Sequence, residues 1–188
     1  MLAAGPWCGA LLPELNLPLR CERHVQYWFE PLSDPQLFAP GACPIYSWQH
    51  SGGTFYGFAN LGHGIKVAHH HSGEFVEPDA LCRDVSEAEV NEVRALLEQF
   101  LPTANGALIA HDACLYTDTP DRHFIIDFHP EHSDVLIVVG CSGHGFKFGP
   151  VVGEIVEGLL GGRRDPGLDM FRMGRLGGAG SQVDEVLR

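Results

Sequence analysis

The passage from residue 135 to residue 160 most limits how this chain can fold. Residues 135–139 are a continuous apolar run, the pattern of a strand buried on both faces. The run passes directly into Gly140, Cys141, Ser142, Gly143, His144 and Gly145. After Pro150 a helix is expected to carry Val152, Ile155, Val156 and Leu159 inward and to stop at Gly161 and Gly162. Glycines let a ligand approach the backbone, and a helix N-terminus presents unpaired N–H groups to negative charge. A tight packing turn needs glycines as well, so the passage alone leaves both uses open. It is not the dinucleotide fingerprint GxGxxG, because no acidic residue closes a second strand about 20 residues on.

Upstream, residues 20–30 alternate as a strand does. Val25, Tyr27 and Phe29 take one face, and His24, Gln26 and Trp28 take the other. A proline-rich loop follows, then strands over 45–48 and 54–58, a turn at Gly62 to Gly64, and a strand over 65–71. The clearest helix begins at a capping box of Ser86 and Glu89. It carries Val90, Val93, Leu97 and Phe100 at helical spacing and ends at Pro102. Strands over 107–116 and 124–127 complete the set. At the start, Ala3 to Trp7 reads as the end of a strand turning into a helix, with Pro6 near its first turn. Beyond Arg164 there is little pattern apart from Met170, Phe171 and Arg172. The expected class is α+β, built mainly on an antiparallel sheet.

Charge narrows the partners. The 188 residues hold 12 basic and 24 acidic side chains, a formal net charge of -12. Nucleic acid and anionic membrane surfaces are therefore poor partners, although one or two placed cations still suffice for a small carboxylate. No apolar run approaches the roughly 20 residues that span a bilayer. The opening MLAAGPWCGALL lacks a positive n-region and reads as interior sequence rather than a signal peptide. Six scattered cysteines form no CxxC pair, which speaks for a reducing cytoplasm. The C-terminal residues Asp184 to Arg188 lack a peroxisomal Ser-Lys-Leu address.

Three groups of side chains could carry chemistry. On a strand, Lys66, Ala68 and His70 share a face, either a solvated one or one put to use. His69 and His71 would share the opposite face, an H-x-H pair that His63, His111 or Asp112 could complete as the metal site of an oxygenase. Cys114 and Tyr116 stand two apart on a strand, and a cysteine there is ordinarily a small buried hydrophobe.

Two segments, DACLYTDTPDRHFIID at residues 112–127 and GCSGHGFKFGPVVGEI at residues 140–155, closely resemble signature stretches of one family. This is the family of monomeric sarcosine oxidase, N-methyltryptophan oxidase and pipecolate oxidase, FAD-dependent amine oxidases of the D-amino acid oxidase type. FYGFANLGHGIKVAHH at residues 55–70 resembles a third stretch, and AGPW resembles the turn after the last strand of the family's dinucleotide domain.

The resemblance implies that Cys114 attaches FAD covalently, and that Lys66 lies over the flavin and promotes its reaction with dioxygen. It implies that Lys147 pairs with the substrate carboxylate and that Tyr56, His70 and Tyr116 line the substrate pocket. Gly143, His144, Gly145 and Phe146, together with Lys147, would pass beside the cofactor. The implied reaction oxidises a small amino-acid-like secondary amine, such as sarcosine, with dioxygen, giving an imine and hydrogen peroxide. The implied domains are residues 1–20 as the end of an FAD-binding segment, 21–120 as a substrate-binding sheet, and 121–188 as a return to the FAD-binding domain. Cys141 departs from the phenylalanine usual in the second signature. The family's N-terminal half, which supplies GxGxxG, has no counterpart here, so a separate FAD-binding half is an implied partner. A catalytically inactive remnant or binding or assembly module, and the histidine-ligated metal oxygenase, are the alternatives.

Overall fold

The computed structural model describes residues 1–177, which divide into two compact units. One holds residues 23–75 and 79–115, and the other holds residues 1–22, 76–78 and those from 116 onward. The expectation about residues 184–188 lies outside the described part. No helix among the described residues is long and apolar enough to cross a membrane.

The first unit is built on a five-stranded sheet in the order β2-β3-β4-β1-β5. Its strands are β1 (Arg20–Phe29), β2 (Tyr46–His50), β3 (Gly53–Phe58), β4 (Ile65–His70) and β5 (Leu108–Asp118). The β2/β3, β3/β4 and β1/β4 pairs are antiparallel. The alternation read in residues 20–30 has its cause in the core. Tyr27 and Phe29 pack with Phe55, Ile65 and Val67 on one face of the sheet, joined by Val93 and Leu97 of the helix α2 (Glu87–Phe100), and Val25 packs against them. Trp48, Phe55 and Phe100 stack within about 6 Å of one another across β2, β3 and α2. The capping box forms as expected: the Glu89 N–H donates to Ser86 Oγ, and the Ser86 N–H donates to Glu89 Oε2.

The other end of Glu89's reach went unread in the sequence. Arg23 on β1 is buried and forms an ion pair with Glu89 at 2.5 Å. Its Nε and Nη2 donate to the carbonyls of Cys82 and Asp84. A buried guanidinium is tolerable only when satisfied in this way. Here it fastens the segment ahead of α2 to the sheet.

The second unit centres on β6 (Ile125–Phe128) and β7 (Leu136–Val139), with α1 (Cys8–Leu11) and α3 (Gly149–Leu160). Leu136, Ile137 and Val139 are buried, in keeping with a strand covered on both faces. β7 pairs antiparallel with β6, in register Ile126↔Val138, and its other edge takes a parallel bridge from Leu2. An apolar run reports burial but not the direction of its neighbours. After Leu2, Gly5–Trp7 form a 3-10 turn that leads into α1. Val152, Ile155, Val156 and Leu159 are only half-buried, and the buried residue of α3 is Gly158.

Candidate functional site

The face of the sheet turned away from the core gathers four of the side chains singled out in the sequence, Lys66, His70, Tyr56 and Cys114. Lys66 on β4 lies opposite Trp28 of β1 on one side and Phe58 of β3 on the other. Register alone therefore sets its ammonium between two rings, 5.4 Å from the centroid of Trp28 and 5.3 Å from that of Phe58. Such cation–ring contacts are worth about 0.5–1 kcal/mol each at partly exposed sites. Burial pushes the Lys66 amine below its ordinary value, and the neighbouring Cys114 and Asp112 pull it back up. The result is a cation that is fixed in place and poorly hydrated.

Two residues further along β4, the His70 ring stands edge-on to Tyr56 at 5.9 Å. His24, from β1, stacks on Tyr56 at 6.3 Å and sets Nε2 3.4 Å from its hydroxyl. It also meets His70 edge-on at 6.3 Å. His24 was legible as a residue of this face, but nothing in the sequence marked it for the site. The same holds for Gln26, whose side-chain amide donates to the sulfur of Cys114 at 3.5 Å. Burial raises the Cys114 thiol above its ordinary value, while Gln26 and Lys66 act the other way. Within this unit a groove of about 960 Å³ opens beside the Trp28 ring, bordered by His63, Ile109, His111 and Asp112.

The remaining site residues belong to the other unit. The turn after β7 holds three successive departures from ordinary backbone, with φ of 74° at Gly140, 47° at Ser142 and 73° at Gly143. Ser142 is fully buried and fixes the turn: its N–H donates to the Thr117 carbonyl and its hydroxyl to the Gly140 carbonyl. Gly143 is required twice over, because a Cβ there would run into the ring of Tyr116. His144 is held by a 2.8 Å contact from Nδ1 to the Ser142 carbonyl and by the Phe124 ring at 5.2 Å. Gly145 ends the turn with Cys141 against it, Phe146 is fully exposed, and Lys147 is exposed with its ammonium 5.1 Å from the Phe148 ring. His144 and Lys147 border an apolar groove of about 420 Å³ with Phe124, Phe148, Val152 and Phe171.

The H-x-H metal pair does not form. β4 ends at His70, and His71 turns to a φ of 53°, which breaks the alternation that would have set it beside His69. The His71 ring lies 4.1 Å from that of His70, and the His69 ring is beside His50 at 5.2 Å. Among the described residues no convergent group of three possible ligands includes His69, His63, His111 or Asp112.

A flat, electron-poor ring fits this sheet face, with its half-buried thiol beside an amide donor and its cation braced by aromatic rings. The family model described as DAO, FAD dependent oxidoreductase, matches residues 1–159, and the chain belongs to that family. It is 39% identical to monomeric sarcosine oxidase from Streptomyces avermitilis over 85% of its own length and 43% of that protein. It is also 39% identical to monomeric sarcosine oxidase from a Bacillus species, over 93% of the chain and 46% of the relative. Against N-methyl-L-tryptophan oxidase from Salmonella newport the identity is 33%, over 93% and 47%. The chain thus spans less than half the length of these curated relatives. Its fold resembles a double-cysteine mutant of Amadoriase I from Aspergillus fumigatus, with a TM-score of 0.75 at 22% identity, over 92% of this chain and 42% of that one. A modified fructosyl peptide oxidase from Aspergillus nidulans gives 0.75 at 23%, over 92% and 44%.

Proposed function

We propose that this chain carries the substrate- and flavin-facing residues of an FAD-dependent oxidase acting on a secondary amine of the N-methyl amino acid type. The observation that carries the proposal is the grouping of Cys114, Lys66, Tyr56 and His70 on the sheet face opposite the core. FAD, when bound, accepts the two electrons of the amine, and the chain's own residues bind, orient and polarise. Cys114 holds the cofactor through its sulfur. Lys66 presents a fixed positive charge where dioxygen is reduced, and such a charge favours an anion forming beside it. The products are an imine and hydrogen peroxide.

Tyr56, His70 and Tyr116 line the substrate pocket, and Lys147 pairs with the substrate carboxylate. Gly143, His144, Gly145 and Phe146 pass the backbone beside the cofactor, where glycines permit close approach. The portion of the relatives that this chain does not match, supplied as a separate FAD-binding polypeptide, is the partner proposed for turnover. A reducing cytoplasm is the compartment proposed, in keeping with six free thiols.

The test is the visible spectrum of the purified chain with FAD, alone and with that portion of a relative added, repeated after acid denaturation and removal of free flavin. Yellow colour that stays with the denatured protein and disappears in Cys114→Ala is the expected result. Attached flavin that persists in Cys114→Ala would remove the role given to Cys114. No flavin uptake under either condition would leave a binding or assembly module as the better account.

A further inference from the structure

We propose that Gln26 is a positioning residue for Cys114: its side-chain amide holds the sulfur in place and favours the thiolate over the thiol. Flavin attachment at Cys114 belongs to the function proposed above, and the inference rests on it only for the identity of the electrophile. The hydrogen bond itself is a property of this chain.

Three observations support it. Gln26 lies between Val25 and Tyr27, which both face the core, so strand alternation turns its side chain to the opposite face. There it reaches β5, the next strand in the sheet, and donates from Nε2 to Cys114 Sγ at 3.5 Å. Among the described residues, Cys114 is the only cysteine whose sulfur accepts a hydrogen bond from a side chain.

The chemistry gives that bond a direction. A thiol sulfur is a weak acceptor, whereas a thiolate carries a full charge, so an N–H donor stabilises the ionised form far more. Cys114 needs the help. Burial opposes its ionisation, and Asp112, two residues earlier on β5, adds a like charge, with Lys66 on β4 acting in its favour. Gln26 is neutral. A lysine or arginine at this position would also favour the thiolate, but it would crowd a second cation beside Lys66, whose own charge is already weakened by burial. An amide assists the sulfur without that penalty. The proton released by Cys114 passes to solvent, and no other reactant is required.

The experiment reads the pH dependence of iodoacetamide alkylation at Cys114 in the full chain, followed by mass spectrometry, with exposed Cys82 as internal reference. Gln26→Met keeps the volume and removes the donor. It should slow Cys114 alkylation at pH 8 by roughly threefold to tenfold, the size expected for the net contribution of one ordinary hydrogen bond, and leave Cys82 unchanged. The pH of half-maximal rate should rise. Gln26→Glu, of nearly the same shape, should raise it further by adding negative charge, which also covers the case in which the methionine variant misfolds. Superimposable Cys114 profiles for the wild type and Gln26→Glu would overturn the inference, as would slower alkylation in both variants with no change in the half-maximal pH. Alkylation needs no flavin, so the two readings fail separately. Shifted profiles without flavin attachment would sink the proposed function alone, and normal attachment with unshifted profiles would sink the role of Gln26 alone.

Discussion

Arg175, Thr119 and the His123 N–H all donate to the Asp121 carboxylate. Arg175 approaches both oxygens, at 2.7 and 3.1 Å, the Thr119 hydroxyl donates at 3.0 Å, and the backbone of His123 donates at 3.1 Å. Burial pushes the carboxyl up, but these donors and the arginine charge outweigh it and hold Asp121 at about 2, below its ordinary 3.8. A carboxylate depressed on folding contributes stability that is present above the unfolded value and lost as pH falls through the folded one. The side chain is about a third exposed, so the full shift overstates the effect, and about 1–2 kcal/mol is expected after solvent screening. Asp121→Asn should lower the unfolding free energy by that amount at pH 7 in urea titrations. The difference from the wild type should shrink between pH 4 and pH 2. A difference that stays constant over that range would mean the carboxylate's charge is not what the contacts serve.

The helix α2 was readable because two independent local signals agreed, a capping box at Ser86 and an apolar stripe through Val93 and Leu97. Both are tied to stability by local geometry, so both give firm expectations. Ser86→Ala should cost about 1 kcal/mol through the lost cap. Leu97→Ala, at a fully buried position, should cost about 2–5 kcal/mol through lost contacts and a cavity. A larger cost for Ser86→Ala than for Leu97→Ala in chemical denaturation would show that the helix is held more by its end than by its face. The faces of β1 were legible for the same reason, since alternation is local. What escaped depends on residues far apart in sequence. The Arg23–Glu89 pair spans 66 positions, and the contact from Gln26 to Cys114 spans 88. The antiparallel partner of β7 could not be read from an apolar run, which is the same whichever way its neighbours point. The end of β4 at His70 was missed because one left-handed residue, His71, leaves no mark in a run of three histidines. Without a strand there, the paired ligands His69 and His71 lose their common face.

Two opposing terms govern how copies of the chain meet. The net charge of -12 keeps them apart. Yet Phe146 is fully exposed, and Phe148, Val151, Leu160 and Met170, on or near α3, are also exposed. Apolar surface gathered in this way marks an interaction site or a tendency to associate. Salt separates the two terms, because the screening length falls from about 10 Å at 0.1 M to about 3 Å at 1 M while apolar burial is not weakened. Sedimentation of the purified chain should therefore shift to larger species as sodium chloride is raised. A Phe146→Ser, Val151→Ser double variant should stay at the monomer value under the same conditions, and both positions are exposed enough for the fold to tolerate the change. If ion pairs between copies drove association instead, larger species would appear at low salt and dissolve at high salt, and the double variant would behave like the parent chain. The sign of the salt response thus decides whether apolar surface or charge sets the association of this chain.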